Sequence, residues 1–255
     1  MQNEQQILLN LLEMSRNLGQ PEKDYIILGE GNSSAKIDDD NFWVKASGAS
    51  LSNLAAENLI KVSFAKTLDL LKHTSLTDDG IRAGLKSVCV DPQVKALPSV
   101  ETFLHAVLLQ FEGVNYIGHT HPTAINAILC SKKAAEAFSG SLFPDQIVYC
   151  GAEVVFIPYT DPGFVLANAV REHTQNYFER WGQAPKVILM QNHGFIALGE
   201  TAKDVENITA MAVKSARVIA GTYAMGGPNF LSPQSVDRIN TRPDEKYRRQ
   251  VWGTR

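Results

Sequence analysis

Few cysteines, few histidines and no long apolar run characterise this chain of 255 residues. Its three cysteines, Cys89, Cys130 and Cys150, are odd in number and show no CxxC spacing. That usage fits buried thiols in a reducing compartment, so a cytoplasmic location is expected. No apolar stretch approaches the ~18 residues that a membrane-spanning helix needs. The N-terminal "MQNEQQILLNLLEMSRNLG" is polar before it is apolar and lacks a basic leader region, so it reads as an amphipathic helix. Positive charge is not in excess either: 24 Lys and Arg stand against 27 Asp and Glu, a net charge of −3, and the basic residues are scattered. Neither nucleic acid nor a membrane surface is therefore an expected partner.

What is present is a 44% apolar content, enough to fill one sizeable core. Ile7, Leu8, Leu11, Leu12 and Leu18 recur at helical spacing until Gly19 and Pro21 stop them. "YIILGEGNSSAKI" reads as a short β-type run, a Gly-rich turn and a second extended segment. "DDDN" at 38–41 reads as a hairpin turn into a strand from Phe42 to Ala46. A helix is expected over 99–111, opened by Ser99 with Glu101 in its first turn, where an anion suits the helix dipole. "GVNYIGHTH" reads as a buried strand, followed by one helix over "PTAINAILCSKKAAEAF". "EVVFIP" and "KVILMQNHGFIALG" supply further strands, and 163–181 and 201–225 are helical by periodicity. Strands and helices alternate, so the expected fold is a single α/β domain over 1–227, with a polar tail over 228–255 that packs on a neighbouring subunit.

Scarce histidine makes the pair His119 and His121 conspicuous. On a strand, positions i and i+2 share a face, so two imidazoles can reach one cation. His193 sits in a second apolar run that meets a glycine. Three histidines and a carboxylate complete a tetrahedral zinc site, and Glu101, on the helix that precedes the histidine strand, is the candidate carboxylate. A lone strand-end histidine is more often a hydrogen-bonded core residue, and it is the repeated context that favours a metal. His105, four residues after Glu101 on the same helical face, reads as packing or as a neighbour of the site. Asn192 reads as a turn former or as an acceptor for His193. "GEGNSS" is not a dinucleotide fingerprint. With "ASGAS" and Ser99 it offers donors for one anion, although each alone is an ordinary turn.

These segments resemble the class II aldolase/adducin family. The likeness runs over about residues 5–225 through Gly31-Asn32-x-Ser34 with Lys36, the Ser47-Gly48 turn, "PSVETFLHAVLLQ", "HTHPTAINAI", "YTDPGFVLANAV" and "NHGFIALGET", in the family's order. The wording is most similar to the aldolase domain of bacterial rhamnulose-phosphate aldolase/dehydrogenase fusions, whose dehydrogenase partner this chain is too short to carry. The resemblance implies a three-layer α/β/α fold with a mainly antiparallel or mixed sheet. It implies metal ligands at His119, His121 and His193 for Zn²⁺ or another divalent ion, a catalytic Glu101, and a phosphate site at Asn32, Ser47, Gly48 and Ser99. Val100 stands where related aldolases often have a second serine, and Lys36 or Lys45 could compensate. The implied reaction cleaves a ketose 1-phosphate of the rhamnulose or fuculose type into dihydroxyacetone phosphate and an aldehyde, through a zinc-bound enediolate. A 4-epimerase or a 3-keto-acid decarboxylase is the alternative, and an adducin-like scaffold the non-enzymatic one. The family also implies a homo-oligomer, a tetramer, in which a neighbour's tyrosine supplies the acid; Tyr223 and Tyr247 are the candidates.

Overall fold

The first helix shows how the chain's local code is carried out. Asn3 accepts the amide of Gln6 at its N-cap, Ile7, Leu11, Leu12, Met14 and Leu18 are buried along one face, and Gly19 closes it. Gly19 is obligatory there, because a Cβ would lie 2.4 Å from the backbone nitrogen of Ser52.

A computed structural model describes residues 3–73 and 77–242. In chain order the strands are β1 (Asn32–Lys36), β2 (Asn41–Lys45), β3 (Leu59–Ser63), β4 (Tyr116–Thr120), β5 (Val155–Ile157), β6 (Val187–Met190) and β7 (Gly194–Gly199). The helices are α1 (Glu4–Leu18), α2 (Phe64–Leu70), α3 (Asp78–Ser87), α4 (Thr102–Leu108), α5 (Thr123–Leu129), α6 (Ala134–Ala137), α7 (Pro144–Cys150), α8 (Phe164–Trp181), α9 (Ala202–Thr222) and α10 (Pro233–Thr241). The strands form one mixed sheet in the order β3-β2-β1-β4-β7-β6-β5. Only β5 and β6 run parallel.

Two apolar layers sandwich this sheet, which is why its central strands are apolar on both faces. Ile188, Met190, Ile196 and Leu198 point into the layer of α2, α3, α4 and α8. Their sequence neighbours Val187, Leu189, Phe195 and Ala197 point into the layer of α1, α5, α7 and α9. The three-layer α/β/α expectation is met.

Several local expectations are corrected. Tyr25–Leu28 form no strand: Leu28 has φ 55° and is 83% exposed, and the segment turns on a Glu30 N–H to Ile27 carbonyl hydrogen bond. The helix expected over 122–138 is two, α5 and α6, separated where the Ser131 hydroxyl accepts the amide of Lys133. Helix α4 is shorter than 99–111, and Glu101 is its N-cap rather than a first-turn residue. Strands and helices the patterning missed are β3, α2, α3, α7 and α10. Residues 228–242 are not a bare tail: Phe230 packs on Gly140, the Leu231 amide bonds the Ser141 carbonyl, and α10 lies against α7.

Candidate metal centre

Sheet register brings the site together at one end of the central strands. In the β1–β4 ladder Asn32 stands opposite His119, and in the β4–β7 ladder His119 pairs Ile196 and Thr120 pairs Phe195. His121 lies just past the end of β4, its amide held by the carbonyl of Tyr25. His193 closes the tight turn that joins β6 to β7, and Asn192 takes φ 54° in that turn. Asn192 is therefore a turn former. It is not an acceptor for His193, whose buried Nδ1 has no hydrogen-bond partner. The adjoining Gly194 makes room for the rings. A Cβ there would lie 2.6 Å from His121 Cδ2, 2.9 Å from the Thr120 carbonyl oxygen and 3.1 Å from His119 Cε1.

His119, His121 and His193 offer ligand nitrogens that all lie within 4.8 Å of one another. The Nε2 atoms of His119 and His121 are 3.0 Å apart. His119 Nδ1 donates to the carbonyl of Phe195 at 2.9 Å, so its Nε2 turns a lone pair toward the centre. Glu101 closes the fourth side, with Oε2 3.3 Å from His119 Nε2 and Oε1 3.2 Å from His193 Nε2. Glu101 Oε1 is buried and, among the described residues, makes no well-aligned hydrogen bond, His193 Nε2 at 3.2 Å included. Converging lone pairs and an orphaned carboxylate oxygen are what a divalent cation satisfies, and three nitrogens with one oxygen suit zinc.

Electrostatics favour the ligand state. Burial pushes His119 down to about 4, against the opposing pull of Glu101. Burial and the neighbouring rings push His121 down to about 4. Both are neutral imidazoles at neutral pH, as metal binding requires. Burial alone would raise Glu101, but the facing His119 and His193 and a hydrogen bond from Asn32 outweigh it and hold the carboxyl below the usual carboxylate range.

The residues expected to hold a phosphate are divided. Asn32 spends its side chain inside the protein: Nδ2 donates to Glu101 Oε2 at 2.6 Å and to Ser99 Oγ at 3.3 Å, while Oδ1 meets His105. Ser99 is buried and accepts the Glu101 amide at 3.3 Å. Ser47 and Gly48 are exposed on an open turn, where Gly48 has φ 78° and nothing within 4 Å of a Cβ. Lys45 is buried beneath that turn and donates to the carbonyls of Ala49 and Gly29, tying the two glycine turns together. Lys36 pairs instead with Asp39. Tyr223 lies with its ring 5.8 Å from Lys133 Nζ, and Tyr247 falls outside the described residues. Sequence reasoning gave Asn126 no role, yet its Nδ2 holds the His193 carbonyl at 3.0 Å. Its position one turn along α5 from Pro122 was the available signal.

Residues 10–220 match the model of the family described as Class II Aldolase and Adducin N-terminal domain. Among curated relatives, an uncharacterised oxidoreductase, YuxG, of Bacillus subtilis is 29% identical over 74% of this chain. The chain spans only 26% of that relative's length. A methylthioribulose-1-phosphate dehydratase of Microcystis aeruginosa is 22% identical, over 76% of this chain and 85% of the relative. Among solved structures, the N-terminal class II aldolase domain of a conserved protein from Thermoplasma acidophilum superposes with a TM-score of 0.66 at 28% identity, covering 86% of this chain and 96% of that one.

Proposed function

Because the chain belongs to the class II aldolase and adducin family, we propose that it is a zinc-dependent aldehyde-lyase that cleaves a ketose 1-phosphate of the rhamnulose or fuculose type into dihydroxyacetone phosphate and an aldehyde. The observation that carries this reading is the convergence of His119, His121 and His193 within 4.8 Å, with the Glu101 carboxylate against two of the rings.

His119, His121 and His193 would hold the cation, which when bound supplies a Lewis acid able to draw electron density from a carbonyl oxygen. Glu101 is the proton carrier. In synthesis its carboxylate removes a proton from the carbon beside the carbonyl; in cleavage it first takes up the proton that the substrate hydroxyl loses as the carbon–carbon bond breaks and that hydroxyl becomes the aldehyde, and then returns it to the carbon left electron-rich. Its buried position keeps water away from that exchange. Ser47, Gly48 and Ser99 are the proposed phosphate donors; the Lys45 side chain holds the turn of Ser47 and Gly48 through the Ala49 carbonyl, and its own carbonyl accepts the Ser99 amide. Asn32 contributes by its hold on Ser99 and Glu101. A cytoplasmic homotetramer completes this proposal.

Dehydration is the second reading, favoured by the relative named as a dehydratase of a ketose 1-phosphate. It too moves a proton at a carbon beside a carbonyl. The test incubates the purified protein with a panel of ketose 1-phosphates, with and without a chelator, and follows dihydroxyacetone phosphate, free aldehyde, epimer, carbon dioxide and the dehydrated ketone. Chelator-sensitive triose phosphate supports the lyase. A dehydrated product, an epimer or carbon dioxide without triose phosphate replaces it, and protein purified without stoichiometric metal removes the enzymatic reading altogether.

A further inference from the structure

Strand and helix periods meet in register beneath Glu101. On β1, Asn32 and Ser34 share a face because they are two residues apart, while Ser33 between them points the other way, to the hydroxyl of Ser15 at 2.7 Å. On the facing helix start, Glu101 and His105 share a face because they are four apart. Two strand residues advance about 7 Å and four helical residues about 6 Å, so the two polar pairs interleave. The result is a buried chain in which Ser34 Oγ lies 2.6 Å from His105 Nδ1, His105 Nε2 meets Asn32 Oδ1, and Asn32 Nδ2 lies 2.6 Å from Glu101 Oε2. His105, Ser34 and Asn32 are at most 3% exposed.

The direction of every hydrogen bond in this chain follows from its last member. An ionised carboxylate only accepts, so Asn32 must turn its NH₂ toward Glu101. Its carbonyl oxygen then faces His105, which must carry its proton on Nε2. Nδ1 is left as an acceptor, and Ser34 must donate to it. The reverse amide orientation would set two acceptors against each other at Asn32 and Glu101 and leave buried polar groups unpaired, which costs about 1–3 kcal/mol per group.

We propose that His105 is a positioning residue: as the Nε2–H tautomer it locks the Asn32 amide in the one orientation that presents a donor to Glu101, and so fixes the carboxylate for proton transfer. This rests on the reading of Glu101 as the proton carrier. His105 touches neither Glu101 nor the histidine cluster directly; it acts through Asn32, whose Nδ2 lies 2.6 Å from Glu101 Oε2. The pair explains why Asn32 is not free to serve a phosphate with its side chain.

The test uses the full chain, labelled with ¹⁵N in histidine and asparagine, as purified and after chelation. His105 is expected with a protonated Nε2 and a bare Nδ1 at neutral pH in both states; the opposite tautomer overturns the proposal. His105→Phe removes the donor at similar bulk. Its kcat is expected to fall about 10–100-fold with KM and metal content unchanged, the range for groups that orient a ligand. The Asn32 side-chain amide resonances should shift with it. His105→Gln, whose amide nitrogen stands where Nε2–H stood, should restore most of kcat and return those resonances. Equal losses in the two variants, or a loss that only follows thermal stability, overturn the proposal. If His105→Phe does not fold, the tautomer and the Gln variant decide it. If the wild type turns over no ketose 1-phosphate, the lyase reading fails separately, while the tautomer and the Asn32 resonances still test the directed chain.

Discussion

Strand β7 has two contrasting ends. At Gly199 it borders a cavity of about 420 Å³ lined by Glu112, Lys186, Glu200, Thr201 and Asp204 among others. Polar groups there answer one another: the Thr201 amide and hydroxyl both donate to Asp204 Oδ2, at 2.9 and 2.7 Å, and the pair caps α9. At Gly194 the space is tight, yet among the described residues Glu101 Oε1 and His193 Nδ1 are buried without well-aligned hydrogen-bond partners and three imidazoles converge. Cavity volume and converging unsatisfied groups therefore pick out opposite ends of this strand. Of the two, it is the convergent buried groups that a ligand would satisfy, because folding bears their desolvation cost and a ligand recovers it.

The contrast breaks most completely if a ligand is removed. His119→Ala or His193→Ala should purify without stoichiometric zinc by elemental analysis and show no turnover. Metal retained at wild-type level in both would mean that the cluster is not the metal centre.

Glu101→Gln keeps the shape and the approach to Asn32 but cannot carry the proton. Turnover should drop by about 10²–10⁴-fold, the usual worth of general acid–base catalysis, with metal still bound. A fully active Glu101→Gln protein removes Glu101 from the chemistry.

Alanine at the two glycines sharpens the comparison directly, since both are crowded. In Gly194→Ala the new Cβ would press on His121 Cδ2, so metal affinity should weaken about 10–100-fold. In Gly199→Ala it would press on Asp204 Cβ at 2.8 Å, costing about 1–3 kcal/mol and lowering Tm by roughly 2–4 °C per kcal/mol, with metal content intact. Titration of metal into both variants, paired with thermal melts, separates the outcomes.

Acid supplies the most gradual effect. In chelated protein His105, His119 and His121 titrate at about 4, below their ordinary value of 6.5, each chiefly through burial. The unfolded chain therefore binds more protons than the folded one between those values, and stability should fall as pH drops from about 6.5 toward 4. Glu101, also held low, adds to the loss below 4.5. Denaturant melts across that range check the sign, and a flat profile would show that the rings are not buried as neutral groups.

Much of this was legible in the residues before any fold was known. The helices over 163–181 and 201–225 show themselves by period, the run "KVILMQNHGFIALG" reads as strand, and His119 with His121 stands out in a chain of six histidines. Where reading failed, the local signal pointed the wrong way. Tyr25–Leu28 are β-formers by composition, but no neighbouring strand pairs with them and Leu28 takes a left-handed turn. Asn32 lies in a donor-rich stretch, but its amide is claimed by Glu101 and His105. Asn192 beside a metal ligand invites a supporting role, but the hairpin needs its backbone more than its side chain.

By itself the sequence determined the periods of its longer elements, which of their faces are apolar, and which few residues have side chains able to ligate a metal. Those follow from local sterics and side-chain spacing, which need no knowledge of distant residues. Only the tertiary structure decided that β1, β4 and β7 lie side by side, so that His193 and Glu101 meet His119 and His121, and that His105 is the middle of a directed polar chain. Strand order and register are set by the burial of both apolar layers at once, a sum over the whole chain that no short stretch contains.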